Sequence, residues 1–230
     1  MTQQMNGEQR LESPLSPGVL SCYSHAWNIM REKFLEFFVI TVIAIALTLP
    51  TAGLSLKDEI PPFFAMQLFS FSLLYTLVLF WPLEYGIDFA FLKGARGEDV
   101  KVNDIFEVFK NYLNAVLAHF IVGAIIGIGI LCCFVPGIVF ACKLAFVPYL
   151  VVDRKMDVIN ALKESWRLTT GHSMTVFLIG LVSVPIFIAG LMICFVGVII
   201  SAMWVELAFA SLYWSVARSA EPGYANNRKV

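Results

Sequence analysis

Four charged side chains interrupt stretches that are otherwise apolar, and these are the residues best suited to chemistry. Glu84 and Asp88 lie in WPLEYGIDF, Lys143 lies in ACKLAF, and Glu206 lies in WVELAF. Glu84, Lys143 and Glu206 each precede the end of their stretch by about nine to twelve residues, which places them roughly 14–18 Å deep at 1.5 Å per residue. An uncompensated charge there costs roughly 2.5–3.5 kcal/mol. The four residues are therefore expected to face one another or water, as an intramembrane charge cluster.

Two interpretations of this cluster remain open. In the first, Glu84, Asp88, Lys143 and Glu206 form an ion or proton pathway. In the second, Lys143 forms one buried ion pair with Glu206 or with Glu84, and the remaining carboxyl groups carry a proton because burial disfavours their charged form. Three acids and one base leave at least two carboxyl groups without a cationic partner, and this keeps the first interpretation open.

The elements that must position these residues are expected to be membrane helices. Of the 230 residues, 59% are hydrophobic and 14% are charged, and the mean hydropathy is +0.78. Soluble domains contain about 25% charged residues. Residues 1–33 are polar and contain no signal-peptide pattern. The composition predicts an all-α, multi-pass integral membrane protein whose surroundings are the lipid bilayer.

The apolar stretches predict six transmembrane helices, since roughly 20 residues cross a hydrocarbon core. Their expected bounds are about 34–56, 63–92, 114–134, 137–152, 174–196 and 197–217. Together they form a membrane domain at 16–217. A disordered cytoplasmic tail is expected at 1–15 and a short cytoplasmic tail at 218–230.

An amphipathic stretch, called here an elbow, precedes each pair of predicted spans. The N-terminal elbow is a helix at 17–31, the middle elbow covers 93–112, and the C-terminal elbow covers 153–173. The expected caps are Ser16, Asn103 or Asp104, and Asp157. One-sided apolar stripes predict helices that lie in the membrane plane. The stripes are Leu20, Tyr23, Trp27 and Met30; Phe106, Phe109 and Leu113; and Ile159, Leu162 and Trp166.

An internal repeat predicts how the last four spans turn. GILCCFVPGIVFACKLAF begins at Gly129, and GLMICFVGVIISAMWVELAF begins at Gly190; Gly137 in the first copy matches Gly197 in the second. Each copy is apolar on both sides of a glycine, which is typical of two membrane helices joined by a tight turn. With the first pair of spans, the pattern predicts three elbow-plus-hairpin units. Cys133 and Cys194 fall at equivalent positions near the outer ends, where oxidising conditions could join them.

The distribution of basic residues predicts the orientation. Of the 16 lysines and arginines, fourteen fall in the two tails and the elbows, whereas Lys57 lies in the opposite turn and Lys143 within a span. Because basic loops stay cytoplasmic, both termini are expected to be cytoplasmic.

Signatures of other functions are missing from the sequence. It contains no GxSxG, HExxH or P-loop pattern, so no enzyme activity, catalytic residue or cofactor is expected. His119 is expected to be a hydrogen-bonded core residue, because no second His or Cys stands at metal-binding spacing beside it. The basic residues are spread thinly over four segments, which argues against nucleic-acid binding. Gly123, Gly127 and Gly129 are expected to allow close helix packing.

FVPGIVFACKLAFVPYLVVD followed by VINALKESWRLTTGH resembles a widespread family of uncharacterised bacterial six-span membrane proteins. The matching features are a Pro-Gly turn, a basic residue in the next span, an acid at its end and an Ala-rich elbow with a Ser, here Pro136-Gly137, Lys143, Asp153 and Ala161 to Ser165. Similar domains precede the catalytic barrel of some bacterial glycerophosphodiester phosphodiesterases. That barrel is not in this sequence, so the activity is not implied. The resemblance implies a protein of the bacterial inner (plasma) membrane.

Two functions of different classes are compatible with the sequence. The preferred one is a non-enzymatic membrane protein that packs with or organises other membrane components, including other membrane proteins. The alternative is a small-solute or ion transporter or channel that uses Glu84, Asp88, Lys143 and Glu206. A sealed, ion-paired core would favour the first function. A water-lined route to Glu84 or Glu206 would favour the second.

Overall fold

Residues 15–52 and 61–220 are described by a computed structural model, and every regular element in these ranges is a helix, as the all-α prediction requires. Ten of them are α-helices: α1 Val19–Glu32, α2 Phe34–Ala52, α3 Pro62–Tyr75, α4 Trp81–Ala95, α5 Tyr112–Cys132, α6 Phe134–Leu144, α7 Val147–Asp153, α8 Val158–Thr169, α9 Ser173–Met192 and α10 Cys194–Ala220. A π-helical turn, Thr76–Phe80, joins α3 to α4. A 3-10 helix, Val102–Asn111, precedes α5.

Five helical stretches of the described residues are long and apolar enough to cross a membrane, so the chain is a multi-pass membrane protein. They are Met66–Ala95, Val102–Cys132, Phe134–Asp153, Ser173–Met192 and Val196–Ala220. Helix α2 is also apolar and matches the predicted first span, but the end of that span and the turn with Lys57 lie outside the described residues. Six spans therefore stay a prediction, and most of each predicted tail also lies outside.

The predicted span at 137–152 is divided in two by a proline. Pro148 stands in the first turn of α7 and has no amide hydrogen, so the helix breaks after Leu144. The backbone groups freed at the break bond to hydroxyls of α8. Ser165 Oγ donates to the carbonyl oxygen of Lys143 at 2.8 Å, and Thr169 Oγ1 donates to it at 3.1 Å. Both hydroxyl residues are fully buried, which explains a polar pair in this apolar core.

Helix α10 is the centre of the bundle. It packs against α1, α2, α4, α8 and α9. Helix α1 is attached to two of these neighbours through Tyr23, whose hydroxyl contacts the carbonyl oxygen of Ile179 at 3.0 Å and whose own carbonyl oxygen accepts from Trp204 Nε1 at 3.0 Å. Residue Lys33 then ends α1 with φ −118° and ψ 39°, so no continuous helix runs from the N-terminal elbow into α2. This break was expected.

Paired glycines close both hairpins that the repeat predicted. A Cβ on Gly129 would lie 3.0 Å from the Cα of Gly137, and a Cβ on Gly190 would lie 2.7 Å from the carbonyl oxygen of Gly197. Only glycine allows the backbones of α5 and α6, or of α9 and α10, to approach this closely. Gly123, by contrast, has open space around it, so no helix among the described residues packs closely against it.

Each of the three elbows contains a helix, and the apolar stripes of the middle and C-terminal elbows face outwards, as expected of faces that contact a membrane. Asp157 caps α8 through the amide of Asn160, at 3.4 Å, whereas α1 begins after Gly18 instead of at Ser16-Pro17. The aromatic and aliphatic residues predicted as one-sided stripes are largely exposed, including Trp166. The other faces are buried instead: Ile105 and Val108 in the middle elbow, and Val158, Ala161, Ser165 and Leu168 in α8. In a bilayer, the exposed apolar faces are suited to contact lipid.

We expect Gly86→Ala to destabilise the protein, because a Cβ there collides with the carbonyl oxygen of Ile105 in the 3-10 helix and lies 2.8 Å from its carbonyl carbon. Overpacking of this kind costs about 1–3 kcal/mol. Gly123→Ala is the matched control, since its Cβ meets nothing within 4 Å and alanine favours a helix by about 1 kcal/mol. Thermal melting in detergent should fall for the first variant and hold or rise for the second. Equal melting temperatures would contradict the close approach.

Cysteine labelling tests which end of the α5–α6 hairpin lies outside. Cys132 and Cys133 are exposed at its tip, whereas Cys22 is fully buried and burial raises the pKa of its thiol to about 12. Because thiolate is the reactive form, Cys22 should not react at neutral pH. A variant with only Cys132 and Cys133 should react with an impermeant maleimide on intact cells, and one with only Cys22 should react only after denaturation. Protection of the tip until the cells are opened would reverse the predicted orientation.

Candidate intramembrane carboxyl site

Three of the four predicted site residues come together where α4 packs against α10. Glu84 and Asp88 stand one helical turn apart on α4, and Glu206 stands on α10. The side chains of Asp88 and Glu206 lie close enough to interact directly, and Glu84 is close enough to act electrostatically on both. Asp88 precedes the end of α4 at Ala95 by seven residues, or about 10 Å. The group, called here the carboxyl cluster, lies inside two apolar spans.

A hydrogen bond between the carboxyl groups of Asp88 and Glu206 requires a proton. A deprotonated carboxyl group only accepts hydrogen bonds, whereas a protonated one has a single O–H donor. Two carboxylates in contact would also repel each other strongly away from water. A proton held between their oxygens removes this repulsion, so the cluster is suited to bind a proton.

The turn before the cluster departs from regular α-helix. The wider turn Thr76–Phe80 precedes Pro82, whose missing amide removes a hydrogen bond from the helix. Turns of this kind recur at functional sites. Glu84 follows Pro82 by two residues, so the irregular turn sets the direction from which its side chain leaves the helix.

Aromatic side chains surround the inner pair of acids. Tyr149 on α7 is buried and lies close enough to Asp88 and Glu206 to interact electrostatically with both. Its ring stacks on that of Tyr213 with centroids 5.0 Å apart. Tyr85 is buried near Asp88 on the other side. These rings cover part of the surroundings of the inner pair, whose own side chains are half-buried.

His119 joins the site although the sequence predicted it as a core residue. Its Nδ1 lies 4.0 Å from Glu84 Oε2 and has no hydrogen-bond partner among the described residues. The imidazole stacks on Trp81 with centroids 4.4 Å apart. The Glu84 side chain is 50% exposed, which makes it the outermost of the three acids. No local spacing relates positions 84 and 119, so sequence reasoning had no signal for this contact.

Lys143 lies apart from the cluster, and the expected pairing with Glu206 or Glu84 is not formed. Its Nζ donates to Thr170 Oγ1 at 3.1 Å and lies 5.4 Å from the centre of the Trp166 ring. A depth estimated by counting residues along one straight helix does not include the break after Leu144, and this is why the sequence predicted Lys143 at the depth of the acids. In the described part of the chain, the three carboxyl groups have no Lys or Arg partner at ion-pair distance.

A buried ion pair lies at the ends of the two helices that carry Asp88 and Tyr149. Arg96 at the end of α4 binds Asp153 at the end of α7 with both nitrogens, at 2.8 and 2.6 Å. The side chains are 2% and 0% exposed. In the sequence, Asp153 stood out only as an acid at the end of a span and Arg96 only as a loop cation. The pair fixes α7 against α4 and thereby holds Tyr149 beside the acids.

The remaining predictions about ligands concern metals and cysteines. Among the described residues, no group of three His, Cys, Asp or Glu side chains is placed to hold a metal ion. Cys133 is a free thiol. The side chain of Cys194 lies outside the described part of the chain, so a pairing of the two stays a prediction.

No protein-family model, curated protein or solved structure matches the chain. The resemblance to six-span bacterial proteins therefore stays a prediction, and function is inferred from the site alone.

Proposed function

We propose that the protein moves protons across the membrane through the carboxyl cluster. The observation that carries the proposal is the set of three carboxyl groups within apolar spans, with no Lys or Arg partner at ion-pair distance among the described residues. Ionisable residues inside a bilayer are costly and usually mark ion or proton routes. This choice reverses the order of preference that the sequence suggested, because Lys143 does not neutralise an acid.

A route for the proton is supported by the order of exposure. Glu84 is half exposed and has His119 at 4.0 Å, so it is suited to exchange protons with the outside of the bundle. Asp88 lies one turn further along α4, and with Glu206 it is the pair that would hold the proton. Because Glu84 and Asp88 are one helical turn apart, Glu84 is suited to pass a proton to this inner pair. Beyond the pair, Tyr149 and the Arg96–Asp153 bridge close the end of the bundle.

Proton flux into proteoliposomes tests the proposal. Purified protein is reconstituted into vesicles with a pH-sensitive dye inside, and a potassium diffusion potential is imposed with valinomycin. We expect the interior to acidify faster than in protein-free vesicles, and the rate to scale with the amount of protein. A rate equal to that of protein-free vesicles would contradict the proposal.

The number of spans, their orientation and their grouping into units are also proposals. Six spans with both termini cytoplasmic are supported by the apolar α2 and by the distribution of basic residues. The three elbow-plus-hairpin units and the internal repeat are supported by the equivalent glycine pairs. Residence in a bacterial inner membrane and membership of the six-span family depend on the resemblance.

An organising role is the second candidate, and one surface of α5 favours it. Gly123 and Gly127 are one turn apart, and a Cβ added at either position would have nothing within 4 Å. Small residues at this spacing let a second helix approach closely. Cross-linking through a cysteine at position 123 in membranes tests for such a neighbour, and no adduct beyond the monomer would exclude it.

A further inference from the structure

The ammonium group of Lys143 lies on an exposed platform formed by the C-terminal end of α8. It donates to Thr170 Oγ1 at 3.1 Å and lies 5.4 Å from the centroid of the Trp166 indole, within the range of a cation–π contact. Trp166 is 45% exposed. Trp166 and Thr170 are four residues apart on α8, so they share a face of that helix. Lys163, three residues before Trp166, is exposed on the same side.

The platform lies at the level of lipid headgroups. Helix α9 is an apolar helix of 20 residues, which is about 30 Å long and just sufficient to cross the hydrocarbon core. Its first residue, Ser173, therefore stands near an interface, and Thr170 precedes it by three residues. By reaching Thr170, the ammonium of Lys143 leaves the hydrocarbon region although its backbone belongs to an apolar helix. Long basic side chains commonly extend in this way.

The Lys143 ammonium group has hydrogen-bond donors that the described residues do not use. A lysine ammonium has three donors, and one of them is used by Thr170. No acidic side chain of the described residues lies at ion-pair distance from Lys143. The nearby Arg167 is bound through two of its nitrogens to Glu164, at 2.9 and 2.7 Å, and contributes little net charge. The platform therefore presents a positive charge that lacks a counter-ion among the described residues.

We propose that Lys143, positioned by Thr170 and flanked by Trp166, binds the phosphate of an anionic phospholipid headgroup. The ammonium supplies charge and two donors, and the indole suits the interface. The Thr170 hydroxyl, which donates to the carbonyl oxygen of Trp166 at 2.7 Å, accepts from the ammonium and holds it in place. Exposed apolar side chains beside the platform fit the acyl chains of the same lipid: Ile159 is 62% exposed and Met174 is 67% exposed. These apolar neighbours favour a lipid over free phosphate. The site is separate from the carboxyl cluster and does not depend on proton transport.

Competition between two lipids tests the site. Detergent-solubilised protein is mixed with equal amounts of phosphatidylglycerol and phosphatidylcholine with the same acyl chains, and the retained lipid is counted by native mass spectrometry. One lysine near a membrane surface contributes about 1 kcal/mol, which corresponds to a roughly fivefold preference for the anionic lipid. Lys143→Gln should remove this preference, and Lys143→Arg should keep it. Equal retention of both lipids by the unmodified protein would overturn the proposal without any variant.

Two controls distinguish lipid binding at this site from nonspecific attraction to positive charge and from binding of free phosphate. Lys110→Gln removes an exposed lysine that is bound to Glu107 at 2.7 Å on the middle elbow, and it should leave the preference unchanged. An equal loss in Lys110→Gln and Lys143→Gln would show a charge effect with no site. Millimolar inorganic phosphate should not displace the lipid. Displacement would assign the platform to free phosphate instead.

Discussion

Arg96→Met should destabilise the protein more than Gly86→Ala does. The substitution leaves the Asp153 carboxylate, which is 0% exposed, without the two nitrogens that bind it at 2.8 and 2.6 Å. Breaking a buried ion pair by removing one of its partners costs about 3–5 kcal/mol. It also removes the contact of the guanidinium with Trp214, 5.2 Å away. Thermal melting and denaturant titration in detergent measure the loss.

A double variant shows whether the loss arises from the pair. Arg96→Met with Asp153→Leu removes both charges, and replacing a whole buried pair by apolar groups can be neutral. We therefore expect the double variant to recover much of the stability. Lys110→Met serves as the control, because its pair with Glu107 is at the surface and is worth about 0–1 kcal/mol. If Arg96→Met were no worse than Lys110→Met, the buried bridge would not stabilise the bundle.

Asp88→Asn and Glu206→Gln should each abolish proton flux in proteoliposomes while leaving the fold intact. An amide keeps a hydrogen bond at the position but cannot take up or release a proton. Loss of a positioned proton-transfer group typically lowers a rate by about 10²-fold or more. The flux measurement described for the unmodified protein gives the ratio directly.

A carboxyl outside the spans provides the matched control for these variants. Glu107→Gln changes a residue of the middle elbow that is bound to Lys110 at 2.7 Å, and its flux should equal that of the unmodified protein. Folded yield and melting temperature of all three variants are measured in parallel. Unchanged flux in well-folded Asp88→Asn and Glu206→Gln would remove the inner pair from the route.

The sequence predicted what composition and local chemistry determine. Long apolar runs predict membrane helices, Asp157 caps α8, and glycines at equivalent positions close both hairpins. Because charge is costly in a bilayer, Glu84, Asp88 and Glu206 were expected to face one another, and the structure brings these three acids together. Each of these predictions depends on a neighbouring residue or on a transfer energy.

The sequence could not predict which distant residues contact one another, because these contacts depend on how the helices rotate and where they break. Lys143 was expected among the acids, but the break caused by Pro148 and the position of α8 bring it to Thr170. Arg96 and Asp153 are 57 residues apart, and no period links them. The apolar stripes of the middle and C-terminal elbows are exposed, as expected of faces that contact a membrane, and the opposite faces form the core. In a membrane an apolar face satisfies lipid as well as it satisfies a core, so periodicity alone does not say which face is buried.

The proposed proton transport depends on a proton that Asp88 and Glu206 share inside the membrane domain. Infrared spectroscopy of the protein in neutral buffer measures this proton directly, since a protonated carboxyl group has a C=O stretching band that a carboxylate lacks. We predict such a band in the unmodified protein, shifted by deuterium exchange, lost in Asp88→Asn and in Glu206→Gln, and kept in Glu107→Gln. Absence of the band from the unmodified protein, or its survival in both cluster variants, would show that the pair holds no proton.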